Sequence, residues 1–199
     1  MNYVKIAKQL IKLRNVDLEC RSQLLKEGKL SEGYNEAMQE IHEANAHKLN
    51  AILDKIGYPT EEKVGKEASE SAWMIIQHAI SLPSFMRKCA DLLENAVAEG
   101  NANKLHLASL QDRIAILEGQ PQRYGTQFDW DENGVLNPNP YDDVHLVNER
   151  RNALGLCTLE EQTQRIRERS LQEGLWSPID LEKRKDQYEE WRSKVGWNQ

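Results

Sequence analysis

Apolar residues recur at helical spacing along most of this 199-residue chain, and glycines interrupt the pattern. An amphipathic helix places an apolar residue on its buried face every three or four positions. Gly28, Gly57 and Gly100 each follow such a stretch, as is typical of residues that end helices. The pattern predicts helices at about residues 3–27, 32–56, 66–81, 83–99, 102–118, 141–154, 159–172 and 178–195. We therefore expect an all-α fold, a compact bundle of five to six helices with a helical C-terminal extension.

The first two predicted helices have a short connection, which favours an antiparallel helical hairpin. Leu10, Leu18, Leu24 and Leu25 recur near helical spacing in the first helix and are expected to face inward. Ser31 is the predicted N-cap of the second helix.

Residues 126–138 depart from the helical pattern. Asn133-Gly134 separates two short segments with strand character, which predicts a small inserted β-hairpin. Beyond residue 156 the composition becomes more charged. We expect a helical domain over residues 1–156 and a charged two-helix extension over residues 157–199.

Charge and composition exclude several classes of protein. The formal net charge is −6, whereas binders of duplex nucleic acid or anionic membranes need a basic face. No apolar run approaches the roughly 20 residues that cross a bilayer, and no secretion signal is evident. Cys20, Cys89 and Cys157 are far apart and contain no Cys-x-x-Cys pair. The expected location is therefore the reducing cytoplasm, without a disulfide framework or a thiolate zinc site.

The loop at residues 120–127 is the most distinctive polar segment. Gln122, Tyr124, Thr126 and Gln127 surround Gly125, which allows close approach of the backbone to a ligand. These side chains are candidates for ligand binding. The alternative is a loop that hydrogen-bonds its own backbone and supports the hairpin.

The helix before this loop adds further polar candidates. His106 and Arg113 are two turns apart and share one flank, whereas Asp112 is expected on the outer face. An ordinary exposed Asp112–Arg113 ion pair is the alternative. Gln77 and His78 lie on an apolar helix, and their burial is costly unless both are paired. They are expected either to make structural hydrogen bonds or to face a pocket.

The spacing of the histidines does not define a metal site. His42 and His47 are five residues apart, roughly 140° around a helix, so one helix cannot aim both at one metal. Both are expected to be solvated. His78 and His106 alone fall short of the usual three or four metal ligands. A metal at His78 and His106 therefore stays an open alternative, no residue is assigned as a metal ligand, and the cofactor is unknown. Arg150 and Arg151 are expected on an exposed charged helical face, and an anion contact is the alternative.

Several motifs together resemble a bacterial family catalogued only as a domain of unknown function. They are Trp73-x-x-x-Gln77-His78-Ala79, Asp112-Arg113, Glu118-Gly119-x-x-Gln122-x-Tyr124-Gly125-Thr126-Gln127 and Glu149-Arg150-Arg151. The resemblance spans about residues 10–156, and it also includes Asp17, Arg21, Asn45 and Leu49. It implies that the polar pairs and the loop belong to the family's shared pattern, and it leaves residues 157–199 outside.

The leading hypothesis is a polar ligand or active-site pocket built from His78, Arg113 and the 122–127 loop. His78 is the candidate general acid or base, because its unperturbed pKa lies near neutrality. The expected chemistry is hydrolysis or group transfer on a small molecule, nucleotide or peptide. The candidate ligand-binding residues are Gln77, His106, Asp112, Arg113, Gln122, Tyr124, Thr126 and Gln127.

The alternative hypothesis is a non-catalytic interaction protein of the adaptor or immunity type. It would bind a protein partner through the C-terminal helices, with Leu181, Tyr188 and Trp191 on the binding face.

Overall fold

The computed structural model describes residues 2–29, 34–174, 177–178 and 180–198. The helices are α1 (Tyr3–Lys26), α2 (Glu36–Ile56), α3 (Glu61–Val64), α4 (Lys66–His78), α5 (Pro83–Ala98), α6 (Lys104–Leu117), α7 (Val144–Ala153), α8 (Leu159–Gln172) and α9 (Leu181–Val195). The strands β1 (Phe128–Trp130) and β2 (Leu136–Pro138) form a two-stranded sheet. The predicted mostly helical fold, with a small hairpin and C-terminal helices, is confirmed.

Capping residues account for where several helices begin. The Asn35 side chain accepts hydrogen bonds from the backbone of Ala37 and Met38, so α2 begins at Glu36. The predicted cap, Ser31, lies outside the described residues. Pro83 occupies the first turn of α5, as predicted, since its missing N–H has no helical partner there.

The chain divides into two compact units, residues 1–107 and 108–199. In the first unit α1, α2 and α4 pack against one another, α3 contacts α1 and α4, and α5 contacts α4. Its fully buried apolar side chains include Leu10, Ala46, Leu49, Ala72, Ile76, Met86, Cys89 and Leu93.

The buried face of α1 differs from the expected one. Its buried residues are Leu10, Leu13, Asp17 and Leu24, while Leu18 and Leu25 are exposed. Leu10, Asp17 and Leu24 are seven residues apart, or two helical turns, and so lie on one stripe. A carboxylate therefore occupies a core position of α1, and the prediction that Leu18 and Leu25 face inward was wrong.

The second unit contains the hairpin and the C-terminal helices. β1 pairs antiparallel with β2, with Phe128 opposite Pro138, and Gly134 in the turn has a φ of +69°. The predicted hairpin turn is thus confirmed. α8 contacts α7 and β2, and the buried Arg192 of α9 donates a hydrogen bond to the Leu117 carbonyl. Residues 157–199 belong to this unit, and the domain division near residue 156 stays a prediction.

Within the described ranges, no helix combines the length and the apolar character needed to cross a membrane.

Candidate functional site

In the first unit, two histidines from two helices lie close to one carboxylate oxygen of an aspartate on a third helix. Asp17 of α1 is fully buried, and its Oδ2 lies 2.7 Å from Nδ1 of His78, the last residue of α4. The same Oδ2 lies 3.3 Å from Nε2 of His42 on α2. The sequence pattern indicated His78 as the catalytic candidate but neither of its partners.

A tyrosine extends this cluster behind His42. The Tyr34 hydroxyl lies 2.6 Å from Nδ1 of His42, and the two rings stack with centroids 5.7 Å apart. Tyr34 can donate to His42 Nδ1 while His78 Nδ1–H donates to Asp17. Nε2 of His42 lies within ion-pair distance of the same oxygen but makes no hydrogen bond among the described residues. In this arrangement Nε2 of His78 keeps its lone pair. The His78 side chain is 29% exposed, compared with 8% for His42, so His78 is the member of the cluster nearest to solvent.

The cluster stabilises a buried negative charge. Burial raises the pKa of Asp17, but hydrogen bonds and charge from His42 and His78 outweigh this and hold it well below its ordinary value. Burial raises the pKa of Tyr34, so the phenol stays a hydrogen-bond donor at neutral pH. Oδ1 of Asp17 has no hydrogen-bond partner within the described part of the chain.

The expectation that His42 is solvated was wrong. It rested on the spacing to His47 along one helix, and His47 is indeed exposed. His42 is buried because it faces Asp17 on a neighbouring helix. The sequence carries a signal for this, since His42 lies on the same helical stripe as the buried residues Met38 and Leu49.

His106 makes different contacts within the first unit. Its ring stacks on Trp73 with centroids 4.1 Å apart, and its Nε2 lies 3.4 Å from the Glu70 carboxylate. Burial lowers the pKa of His106, although the Glu70 charge opposes this. Gln77 is buried on α4. Ligand-binding roles for His106 and Gln77 stay predictions.

Asp112 in the second unit anchors the polar loop. Its carboxylate accepts hydrogen bonds from the backbone N–H groups of Arg123 (2.8 Å), Tyr124 (3.0 Å) and Thr126 (2.9 Å). The Thr126 hydroxyl adds a fourth donor at 2.9 Å. Burial raises the pKa of Asp112, and these hydrogen bonds oppose the increase. Asp112 was expected on the outer face of α6, but it is fully buried because the loop folds over it.

The other side of the loop is held by Gln122 and Arg151. The buried Gln122 amide donates to the carbonyls of Gln127 and Asn139 and accepts from the Gln127 N–H. Arg151 donates to the Tyr124 carbonyl at 2.8 Å and is only 1% exposed, so its predicted exposed position was wrong. The N–H groups of the loop thus donate hydrogen bonds to the Asp112 carboxylate, and its carbonyl groups accept hydrogen bonds from the Arg151 guanidinium.

The remaining predicted binding residues differ in their hydrogen bonds. Among the described residues, no hydrogen bond is made by the half-buried side chain of Tyr124. Gln127 donates to the Thr126 hydroxyl, and burial lowers the pKa of Arg113. Arg113 and the loop belong to the second unit and His78 belongs to the first. The joint pocket stays a prediction.

Comparison with known proteins identifies the family of this chain. No curated protein matches it, and no solved structure does. A family model described as "Family of unknown function (DUF6624)" matches residues 5–172. The match extends through α8, beyond the end near residue 156 that the sequence motifs indicated. The resemblance to a family of unknown function is confirmed, and because the match covers most of the chain, this chain belongs to the DUF6624 family.

Proposed function

We propose that Asp17, His42 and His78 form the acid–base centre of an enzyme that hydrolyses, or transfers a group from, a small molecule, nucleotide or peptide. The 2.7 Å contact between a fully buried carboxylate and Nδ1 of a partly exposed histidine supports this proposal most strongly. A carboxylate in this position fixes the imidazole tautomer and stabilises the imidazolium that forms during proton transfer.

His78 would act through Nε2. That nitrogen takes a proton from water or a substrate hydroxyl, whose oxygen then forms a bond to the electrophilic centre. The resulting imidazolium is stabilised by Asp17, and it returns the proton from Nε2 to the leaving group. Asp17 is a positioning residue here, and so is His42, which Tyr34 holds in turn.

The sequence-based roles in substrate binding belong to the same proposal. Arg113 would bind an anionic group, and Tyr124, Thr126 and Gln127 would orient the substrate. Thr126 and Gln127 already hydrogen-bond within the second unit, whereas the Tyr124 side chain makes no hydrogen bond among the described residues, so Tyr124 is the stronger candidate of the three. The expected location remains the bacterial cytoplasm.

A substrate screen tests the acid–base role. The full chain is assayed against carboxylic esters, phosphomonoesters, nucleoside phosphates and peptides, beside His78→Gln and Asp17→Asn. Loss of the general base should lower kcat by about 100-fold or more. His47→Gln is the matched control, because His47 is exposed on α2 and should leave turnover unchanged. Equal turnover by the parent chain and by His78→Gln would contradict the proposal.

Exposed apolar side chains favour the interaction alternative as a second candidate. Leu171 is 68% exposed and Tyr188 is 37% exposed, whereas Trp197 is buried. We propose that Leu171→Ser and Tyr188→Ser, which should leave the fold intact, weaken binding to a protein partner. Capture of partner proteins from the native host by each variant and by the parent chain measures this. Undiminished capture by both variants would contradict a binding face on α8 and α9.

A further inference from the structure

The side chains around Asp17 have the composition of a metal site. One oxygen of Asp17 and one ring nitrogen each of His42 and His78 lie within 4.8 Å of one another. The three residues come from α1, α2 and α4, which pack against one another. We propose that these three side chains bind one divalent transition-metal ion of the zinc type. This inference goes beyond the proposed function, because it concerns binding and needs no substrate.

The two distances that involve Asp17 are close to those of tetrahedral coordination, and the His42 and His78 nitrogens lie within 4.8 Å of each other. Ligand atoms around tetrahedral zinc are roughly 3.3 Å apart when each is about 2.0–2.1 Å from the metal. Nε2 of His42 already lies 3.3 Å from Oδ2 of Asp17. Nδ1 of His78 lies 2.7 Å from the same oxygen and would need to move by about 0.6 Å once a metal replaced the hydrogen bond.

The buried carboxylate of Asp17, with one oxygen that accepts no hydrogen bond among the described residues, favours the binding of a cation. The carboxylate is fully buried, and its Oδ1 lacks a hydrogen-bond partner in the part of the chain that the structure describes. A buried anionic oxygen without a donor is costly, and coordination to a cation removes that cost. Two imidazoles with one carboxylate select zinc and its first-row neighbours, whereas Ca²⁺ and Mg²⁺ prefer oxygen ligands throughout.

The surroundings provide the other parts of such a site. Tyr34 lies 2.6 Å from Nδ1 of His42, so its oxygen can accept the Nδ1–H when Nε2 binds the metal. His78 is the most exposed of the three ligands, so a water molecule can reach the fourth position from its side. Three protein ligands and one water is the coordination of catalytic zinc.

The metal-bound and hydrogen-bonded forms are two states of the same three side chains. When a metal takes the lone pair on Nδ1 of His78, the remaining ring proton lies on Nε2. His78 would then no longer be a base, and the metal held by Asp17, His42 and His78 would supply a bound water of lowered pKa for proton transfer.

Metal titration of the full chain tests the inference. The chain is treated with chelator, then titrated with Zn²⁺ by calorimetry and with Co²⁺ by visible absorption. We expect one ion per chain and the d–d bands of a low-coordinate Co²⁺ centre. Asp17→Asn and His78→Gln should each weaken binding by about 100-fold or more, since even outer-shell changes cost roughly 10–100-fold. His47→Gln, on the exposed face of α2, should bind like the parent chain.

A second measurement covers variants that fail to fold. In the parent chain, Zn²⁺ should shift the ring ¹⁵N resonances of His42 and His78 and leave those of His47 in place. The inference is overturned by the absence of saturable binding, by undiminished binding in Asp17→Asn, or by shifts confined to His47. Zinc binding without any turnover would contradict only the proposed function. His78-dependent turnover without zinc binding would contradict only the metal site.

Discussion

At the scale of single residues, Asp17 and Asp112 are both fully buried but differ in how their oxygens are satisfied. Asp112 accepts from three backbone N–H groups and one hydroxyl, so both its oxygens are occupied by fixed donors. Asp17 has two imidazoles on Oδ2 and no hydrogen-bond partner on Oδ1 among the described residues. Asp112 therefore holds a loop in place, whereas Asp17 retains capacity for a proton or a cation.

Removal of the Asp112 carboxylate should destabilise the loop strongly. Asp112→Ala leaves three N–H groups without their acceptor, so the free energy of unfolding should fall by about 3 kcal/mol or more. Thr126→Val leaves the three N–H bonds to Asp112 in place and should cost about 0.5–1.5 kcal/mol for each of the two hydrogen bonds of the hydroxyl, to Asp112 and from Gln127. Urea unfolding measures both changes, and the Arg123, Tyr124 and Thr126 amides should exchange faster in Asp112→Ala. Equal losses in the two variants would contradict the anchoring role.

At the scale of elements, Gly125 is where the loop meets α8. Its φ is +62°, and a Cβ built on it would overlap the Leu159 side chain. Gly125→Ala should cost about 1–2 kcal/mol for the left-handed backbone and about 1–3 kcal/mol more for the overlap. Chemical denaturation measures the total loss in the free energy of unfolding.

Gly155 provides the matched control for Gly125. Its φ is +74°, and nothing lies within 4 Å of a Cβ built there, so Gly155→Ala should show the backbone cost alone. Leu159→Ala in the Gly125→Ala background should recover part of the overlap cost. If the two glycine variants were equally stable, the close packing of α8 on the loop would be wrong.

The hairpin turn should be sensitive to acid in a defined direction. Hydrogen bonds from the backbone of Val135 and Asn133 lower the pKa of Asp131 below its ordinary value of 3.8. Because the folded pKa is the lower one, the stabilisation is complete above the unfolded pKa and is lost as pH falls through the folded value. The Val135 amide proton shift should titrate with a midpoint below 3.8. A midpoint at or above that of Asp131 in the urea-unfolded chain would contradict this.

Local sequence patterns predicted the helices and the hairpin better than they predicted the contacts of the candidate site. The Asn133-Gly134 turn, the start of α5 at Pro83 and the helical spacing depend on neighbours in sequence, and all appear in the structure. The Asp17 cluster joins residues 61 positions apart, and the Asp112 contacts span up to 14 positions. Such contacts depend on which helix faces align, and a single helical pattern does not specify this.

One sequence signal does point to the Asp17 cluster. Asp17 lies on a heptad stripe between Leu10 and Leu24, and His42 lies on the buried stripe of α2. A charged residue on a core stripe must be paired, since an unpaired buried charge is prohibitively costly. That rule makes a histidine on the buried stripe of α2 a natural partner for an acid on the buried stripe of α1.

At the scale of the whole molecule, the division between residues 107 and 108 predicts two regions of separate local stability. α6 crosses this division, because it runs from Lys104 to Leu117. Asp112→Ala in the full chain should speed amide hydrogen exchange within residues 108–198 and leave α1 and α2 protected. Mass spectrometry of exchanged peptides measures this. Equal loss of protection in α1 and α2 would show that the two units open together.

The proposed mechanism requires that Asp17 accepts a hydrogen bond from Nδ1–H of His78 and leaves Nε2 as the free base. Long-range ¹H–¹⁵N correlation of the histidine rings in the metal-free chain, at an alkaline pH where the imidazoles are neutral, measures this directly. We predict a protonated Nδ1 and an unprotonated Nε2 for His78, with this preference lost in Asp17→Asn. A His78 ring that carries its proton on Nε2 in the parent chain would contradict the account.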